Sequence, residues 1–404
     1  MSGSETLSGM NVAAPPRNRW ARLAIRAADA IKVGQLTLAL PDGATHRVMR
    51  GEAPAATIVM RDVRAVKKLI LGGSLGLAEA YVEGLWESPD VRDVMTLAAR
   101  NEQEWLAMLN GRPWMRALAR LAHRLRPNTR RGAARNIVEH YDLGNDFYAA
   151  WLDPTMTYSS ALFADGETSL EAAQVRKIRR LLDGLALRPG MRLLEIGCGW
   201  GALAEIAARD YGVAVTGITL SPSQLAYGRE RMARAGLSEC VSLQLCDYRD
   251  VRGTFDAIAS VEMFEAVGEE YWPAFFRALR QRLAPGGRAH LQVITIADHL
   301  FENYRSSADF IQRHVFPGGM LPCPARLRDE IAKAGLAWRD AFWFGGDYAE
   351  TLARWNEAFQ AAWPRLATGK RDIRFKRLWD YYLAYCETGF RAGWTDVGQI
   401  LLAG

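Results

Sequence analysis

The run Leu193-Leu194-Glu195-Ile196-Gly197-Cys198-Gly199-Trp200-Gly201 constrains this 404-residue chain more than any other. An apolar segment ends in an acid, passes through Gly-x-Gly-x-Gly and opens a helical pattern. That describes a buried strand turning sharply into a helix. Glycine suits such a turn because it reaches positive φ without penalty and lets backbone approach a ligand. A glycine-rich loop alone is a weak signal, since dinucleotide enzymes use similar turns. This loop, however, lacks the longer spacing and distal acid of the nicotinamide fingerprint. Its surroundings add more. Apolar runs at Met191–Ile196, Val213–Ile218, Val241–Leu245, Phe255–Val261 and Ala289–Ile296 read as buried strands, and Val397–Leu402 as a final one. Helical stretches start near Ser169, Trp200, Ser221 and Glu270. Such alternation predicts right-handed crossovers and a parallel sheet covered on both faces, with ligands beyond the carboxyl ends of the strands.

With the acid at its strand end, the loop resembles the first motif of the class I S-adenosylmethionine methyltransferases. The expected fold is therefore α/β: a Rossmann-like parallel sheet of that class, with a smaller N-terminal α+β domain. Glu195 would face the sulfonium and amino group, an anion near a cation, and Gly197, Gly199, Trp200 and Gly201 would form the cradle. The second strand ends in Thr219-Leu220-Ser221, followed by Gln224. Most methyltransferases carry an acid there for the ribose hydroxyls; Thr219 and Gln224 are neutral hydrogen-bonding groups. The third strand ends Cys246-Asp247-Tyr248, where a carboxylate can accept from the adenine amine. By itself Asp247 reads equally well as a turn residue; its register with the first motif favours the cofactor.

A closer likeness lies in a series of ordered motifs. They are His140-Tyr-Asp-Leu-Gly-Asn-Asp-Phe-Tyr148, Asp153-Pro-Thr-Met-Thr-Tyr-Ser-Ser160, Gly197-Cys-Gly-Trp-Gly201, Asp247-Tyr-Arg-Asp250, Glu262-Met-Phe-Glu265, Phe316-Pro-Gly-Gly319 and Phe344-Gly-Gly-Asp-Tyr348. From about residue 135 onward the chain resembles the cyclopropane fatty acid synthases. Gly76-Leu-Ala-Glu-Ala-Tyr81 resembles the small domain that bacterial members carry. The resemblance implies methyl transfer from S-adenosylmethionine to a cis double bond of an acyl chain in a membrane phospholipid, with Tyr158 and Ser159 beside the cofactor. An alkene is a feeble nucleophile, so the reaction needs proximity in a dry pocket. It also needs electron-rich walls for the resulting cation and a base for one proton. The resemblance implies a bound bicarbonate as that base, held by Glu265, Tyr348, the Ile294 carbonyl and two positions at which this chain departs. Ser160 stands where the family has cysteine, and Gln292 where it commonly has histidine; Ala266 follows Glu265 where many members have histidine. Ser160 and Gln292 can hydrogen-bond an anion, but Gln292 carries no positive charge. Two products follow: a cyclopropane ring, or a methylene- or methyl-branched chain formed without ring closure. Glu262 reads as a neighbour facing the cofactor.

Composition bounds the alternatives. Hydrophobic residues make up 49% and charged residues 24%, the balance of a globular protein with a full core. The five cysteines, Cys198, Cys240, Cys246, Cys323 and Cys386, are scattered and odd in number, which argues for a reducing compartment. His140, His299 and His314 lack ligand spacing, so no metal site is expected. No signal peptide or spanning run is read, and the expected location is the cytoplasm, peripheral on the inner membrane surface. The expected organisation is a disordered tail (1–16), a small α+β domain (17–110), a basic amphipathic linker (111–135) and a methyltransferase domain (136–404). The net charge of +6 concentrates in Arg112, Arg116, Arg120, Arg124, Arg126, Arg130 and Arg131, with a second basic stretch from Arg17 to Ile31. Such a face is either ordinary solvated surface or a dock for anionic headgroups, each residue contributing about 1 kcal/mol at a bilayer. Nucleic acid is not an expected partner, because no recognition pattern accompanies the arginines. A homodimer is compatible with all of this. The aromatic-rich insertion Trp343–Trp394 is read mainly as core, with a few rings lining an acyl tunnel. Two other readings are a methyltransferase for a small soluble acceptor and a lipid-binding protein without catalysis.

Overall fold

The computed structural model describes residues 18–109, 143–306, 309–369 and 371–404. The expected tail, the arginine-rich linker and His140-Tyr-Asp142 lie outside the described residues. The chain divides after Pro113 into two compact units.

In the first unit, α1 (Arg19–Asp29) is capped by Asn18 and buries Ala21, Ala24 and Ala28, leaving Arg19, Arg22 and Arg26 exposed. Three strands follow: β1 (Gln35–Ala39), β2 (Thr45–Met49) and β3 (Ala55–Met60). Helix α2 (Arg64–Val82) leads to β4 (Trp86–Glu87), and the sheet order is β2-β1-β3-β4. Strand β2 leaves no apolar run in the sequence because Val48 is its one fully buried residue. The helical pattern that runs from Val91 to Leu109 is split into α3 (Val91–Arg100) and α4 (Glu102–Leu109) at Asn101. The buried Asn101 amide accepts from the backbone N–H of Lys32 and Val33 and donates to the carbonyls of Val33 and Leu97, so it serves tertiary structure at the break.

The second unit begins, among the described residues, with α5 (Asn145–Ala149) and α6 (Leu170–Gly184). Then β5 (Arg192–Ile196), α7 (Ala202–Tyr211), β6 (Ala214–Thr219), α8 (Pro222–Arg234), β7 (Val241–Leu245) and β8 (Phe255–Val261) alternate as predicted. Helix α9 (Trp272–Arg282) leads to β9 (Leu283–Ile296). After α10 (Asp298–Ser306), α11 (Phe310–His314) and α12 (Pro324–Lys333) come β10 (Ala337–Trp343), α13 (Gly345–Leu366), α14 (Ile373–Arg391) and β11 (Thr395–Ala403).

The seven strands run in the order β10-β11-β9-β8-β5-β6-β7. Strands β9, β8, β5, β6 and β7 are parallel, as expected. Strand β11 is antiparallel to both neighbours, which departs from the all-parallel expectation. Strand β10 returns parallel to β9 but one strand-width away, and β11 fills the gap from the opposite direction. Strand β10 escaped the sequence reading because none of its residues is fully buried. Period-two alternation distributes the core. Leu194, Ile196, Ile258, Leu291, Val293, Ile400 and Leu402 pack on one face against Phe275, Phe276 and Leu279 of α9. Leu193, Val215, Ala257 and Ala259 pack on the other against Ile178, Leu181 and Ala204 of α6 and α7. By that same alternation Glu195, Gln292 and Gln399 turn toward α6.

Candidate active site

Gly197, Gly199 and Gly201 all adopt positive φ, at 85°, 50° and 89°. A Cβ at Gly197 would lie 2.9 Å from Cγ of Met263, whereas one at Gly199 would stand in open space. The loop is thus tight where it meets the protein and open where a ligand can lie. Glu195 is buried beneath it. Burial pushes its carboxyl up to about 8, against the opposing pull of Lys177, a backbone hydrogen bond from Ala204 and Arg231. Its Oε2 has no hydrogen-bond partner. An open glycine cradle over an unsatisfied buried acid fits a cationic ligand with donor groups, as S-adenosylmethionine is.

The other expected cofactor residues are placed as follows. Trp200 donates from Nε1 to Asn145 Oδ1 at 2.8 Å and packs on Tyr148. Thr219 donates to Gln224 Oε1 at 3.0 Å and accepts from Ser221 N–H, so these two neutral groups brace one another at the end of β6. Leu220 is half-buried beside them. Asp247 holds Arg249 through both carboxylate oxygens, and that guanidinium lies over the Tyr248 ring. Ser159 is buried, its Oγ accepting from Lys177 Nζ at 2.5 Å. Tyr158 shares a 2.7 Å hydroxyl contact with Tyr382 and packs among Tyr148, Trp151 and Trp355.

A second cluster forms where β8 and β9 end. Glu262 follows β8 with φ at 47°, a left-handed conformation uncommon for a side-chain-bearing residue. Its carboxylate collects three donors. Oε1 accepts from Ser160 N–H at 2.9 Å and from Gln292 Nε2 at 2.8 Å, and Oε2 accepts from the Tyr348 hydroxyl at 2.6 Å. The sequence reading turned Glu262 toward the cofactor; these three donors engage its carboxylate. The Ser160 hydroxyl donates to the neighbouring Ala161 carbonyl, so Ser160 contacts the anion through its backbone. Gln292 Oε1 accepts from Gln399 Nε2 at 3.1 Å, its partner in β11 register. Glu265, in the single turn Phe264–Ala266, accepts the Ile294 N–H on Oε1 at 2.5 Å, while its Oε2 lacks a partner. Glu265 and Tyr348 therefore come together around Glu262, and Ile294 joins through its N–H.

Electrostatics separates the two carboxylates. Burial, and then the charge of Glu262, push Glu265 up to about 8, so it stays protonated at neutral pH. Burial also raises Glu262, but Lys177, Tyr348, Gln292 and Ser160 oppose it. Lys177, wholly buried, is pushed down to about 8 by desolvation while Glu262, Asp153 and Glu195 hold it up. It stands electrically between cofactor cradle and carboxylate cluster. The sequence reading missed it, although Ala173-x-x-x-Lys177-x-x-x-Leu181 puts a lysine on an apolar helical stripe. Gln399 and Thr351, whose Oγ1 accepts from Ala161 N–H, were missed as well. Each is a polar residue in an apolar pattern.

Aromatic rings enclose this region. Trp355, Phe359, Trp379, Tyr381 and Tyr382 of the insertion are buried, and Tyr348 packs on Phe390 with ring centroids 4.4 Å apart. Their faces are negative and suit a neighbouring cation. Among the described residues no group of His, Cys, Asp and Glu could hold a metal ion.

The family profile for mycolic acid cyclopropane synthetase matches residues 128–400. The chain belongs to that family. Like the cyclopropane synthases and fatty acid methyltransferases it resembles, it is an S-adenosylmethionine-dependent methyltransferase. The chain is 40% identical to tuberculostearic acid methyltransferase UfaA1 of Mycobacterium tuberculosis, over 90% of this chain and 86% of that one. It is 35% identical to the cyclopropane-fatty-acyl-phospholipid synthase of Escherichia coli K12, over 88% and 89%. The mycolic acid cyclopropane synthase CmaA1, solved with SAH and CTAB, matches at 31% identity and a TM-score of 0.63, over 67% of this chain and 98% of that one. As a cyclopropane synthase relative, the chain does not need the readings of a small-acceptor enzyme or a lipid-binding protein without chemistry.

Proposed function

We propose that this enzyme methylates the double bond of an unsaturated acyl chain within a membrane phospholipid, giving a cyclopropane fatty acid. The observation that carries the reading is a nest of buried aromatic rings built directly onto a buried carboxylate pair. Such a site suits an uncharged chain that passes through a cation and gives up a proton. The phospholipid is inferred from the relative in Escherichia coli, whose name specifies it. The residues that would hold the methyl donor are Glu195, the loop Gly197–Gly201, Thr219, Gln224 and Asp247. Bound there, S-adenosylmethionine supplies an electrophilic methyl group. The protein's own residues exclude water, line the cation's surroundings with aromatic faces and hold a carboxylate ready for the proton.

One observation favours a second product, a methylene- or methyl-branched chain. Ser160 and Gln292 stand where the family's cysteine and histidine are expected, and the relative in Mycobacterium tuberculosis is named for tuberculostearic acid. We place the enzyme at the cytoplasmic face of the membrane, drawn there by anionic headgroups. No helix among the described residues is long and apolar enough to span a bilayer. The test is mass spectrometry of phospholipids from an expressing host without such an enzyme of its own. Ring and methylene each add one CH2 per modified chain and a saturated methyl branch adds CH4, and hydrogenation followed by chromatography separates ring from methylene. Unchanged acyl chains would refute both products.

A further inference from the structure

The anion site implied by the family resemblance does not fit a separate anion here. Ser160, Gln292 and Tyr348 are three of its five positions, and all three already donate to one carboxylate of the chain itself. We propose that Glu262 replaces the exchangeable bicarbonate and is the base that takes the proton from the newly added methyl group. The inference rests on the alkene-methylation reading above.

The three hydrogen bonds on Glu262 and the charges around it support this. A carboxylate and a bicarbonate share the same planar pair of oxygens, so donors arranged for one serve the other. Neutral Gln292 suits a carboxylate fixed covalently in place, whereas a diffusing anion would gain from a cationic partner. The charge that histidine would have brought is supplied instead by buried Lys177, the strongest attraction on Glu262. Finally, burial and Glu262 push Glu265 up to about 8, whereas the rise that burial imposes on Glu262 is opposed by Lys177 and by its three hydrogen bonds. The left-handed backbone at Glu262 is the conformational cost of aiming its carboxylate at these donors.

The step balances without an external oxidant or reductant. The alkene π pair forms the new carbon–carbon bond to the methyl group as the carbon–sulfur bond breaks, its electrons leaving with sulfur. The other alkene carbon becomes cationic. Glu262 then takes a proton from the added methyl, and the released carbon–hydrogen pair closes a ring onto the cation. If a 1,2-hydride shift comes first, the same pair forms a methylene double bond. Either way one proton ends on Glu262 and leaves to solvent.

The test pairs a binding measurement with turnover. ¹³C-bicarbonate is titrated by NMR into protein free of methyl donor and lipid, using wild type, Glu262→Gly and Glu262→Gln. Glycine removes the carboxylate at a backbone conformation it tolerates, and glutamine keeps the shape without the charge. Wild type is expected to show no saturable binding and Glu262→Gly to gain it. In carbonate-free buffer, wild-type turnover should persist, while both variants fall by about a hundredfold or more and added bicarbonate or formate restores at least tenfold to Glu262→Gly. Saturable binding to wild type, bicarbonate-dependent wild-type turnover, or near-normal turnover by Glu262→Gln would each overturn the assignment. If wild type methylates no lipid, the functional reading fails, while the titration still decides whether Glu262 fills the anion site.

Discussion

The glycine loop after β5 and the carboxylate cluster after β8 and β9 belong to one sheet but are specified in opposite ways. Nine consecutive residues, Leu193 to Gly201, make the loop, and its function is carried by backbone that only glycine can shape. The cluster draws Ser160, Lys177, Glu262, Gln292, Tyr348 and Gln399 from six separate segments, and its function is carried by side chains that satisfy one another. A local device tolerates change elsewhere, whereas a distributed one depends on the whole sheet being in register. The contrast also separates binding from chemistry. The loop should govern cofactor affinity and the cluster should govern turnover.

The largest effect should come from breaking the loop. Gly197→Val forces a branched side chain into positive φ and against Met263. Calorimetry should show cofactor binding lost, with stability lowered by about 1–3 kcal/mol. Next, Glu262→Gln should reduce turnover about a hundredfold while leaving S-adenosylmethionine affinity nearly intact. Loss of both would erase the proposed division of labour. A separate variant, Glu265→Gln, tests the protonation state of the neighbouring carboxyl. Glu265 is raised from 4.5 to about 8, so between those values the folded chain retains a proton that the unfolded chain has released. Stability therefore falls as pH rises through this window. Thermal melts of Glu265→Gln should lose that share of the slope; an unchanged slope would mean the carboxyl is ionised.

Lys177→Met removes the strongest attraction that opposes the burial-driven rise of Glu262. The acid limb of the turnover profile should move to higher pH, a shift that a packing defect would not produce. The smallest effect is expected from Gln399→Leu, which deprives Gln292 of its donor at about 1 kcal/mol. Turnover should fall severalfold with cofactor affinity unchanged. If cofactor binding weakens instead, the two regions are coupled more tightly than their separate construction implies.

Most of the parallel sheet was legible because its strands are buried on both faces and read as apolar runs. Strands β2 and β10 were not, since each buries too little to leave an apolar pattern. The direction of β11 was equally hidden, because an apolar run looks the same read either way along a sheet. In the candidate site, Glu265, Tyr348 and Ser160 were read from ordered motifs and Gln292 from the family resemblance. The role of Glu262 was missed because a hydrogen-bonded hub is a property of convergence, and no spacing within Glu262-Met-Phe-Glu265 reports which acid the other segments will meet. Lys177 and Gln399 left a fainter trace as polar residues amid apolar ones.

The position of β11 also has a consequence for biosynthesis. It occupies an interior slot, so a growing chain emerges from the ribosome with the β9 edge open until residues 395–403 have been made. During that interval an exposed apolar edge is available to other chains. The Gln292 amide also awaits its brace, so the nascent enzyme can fold its nucleotide-binding half well before it can perform chemistry.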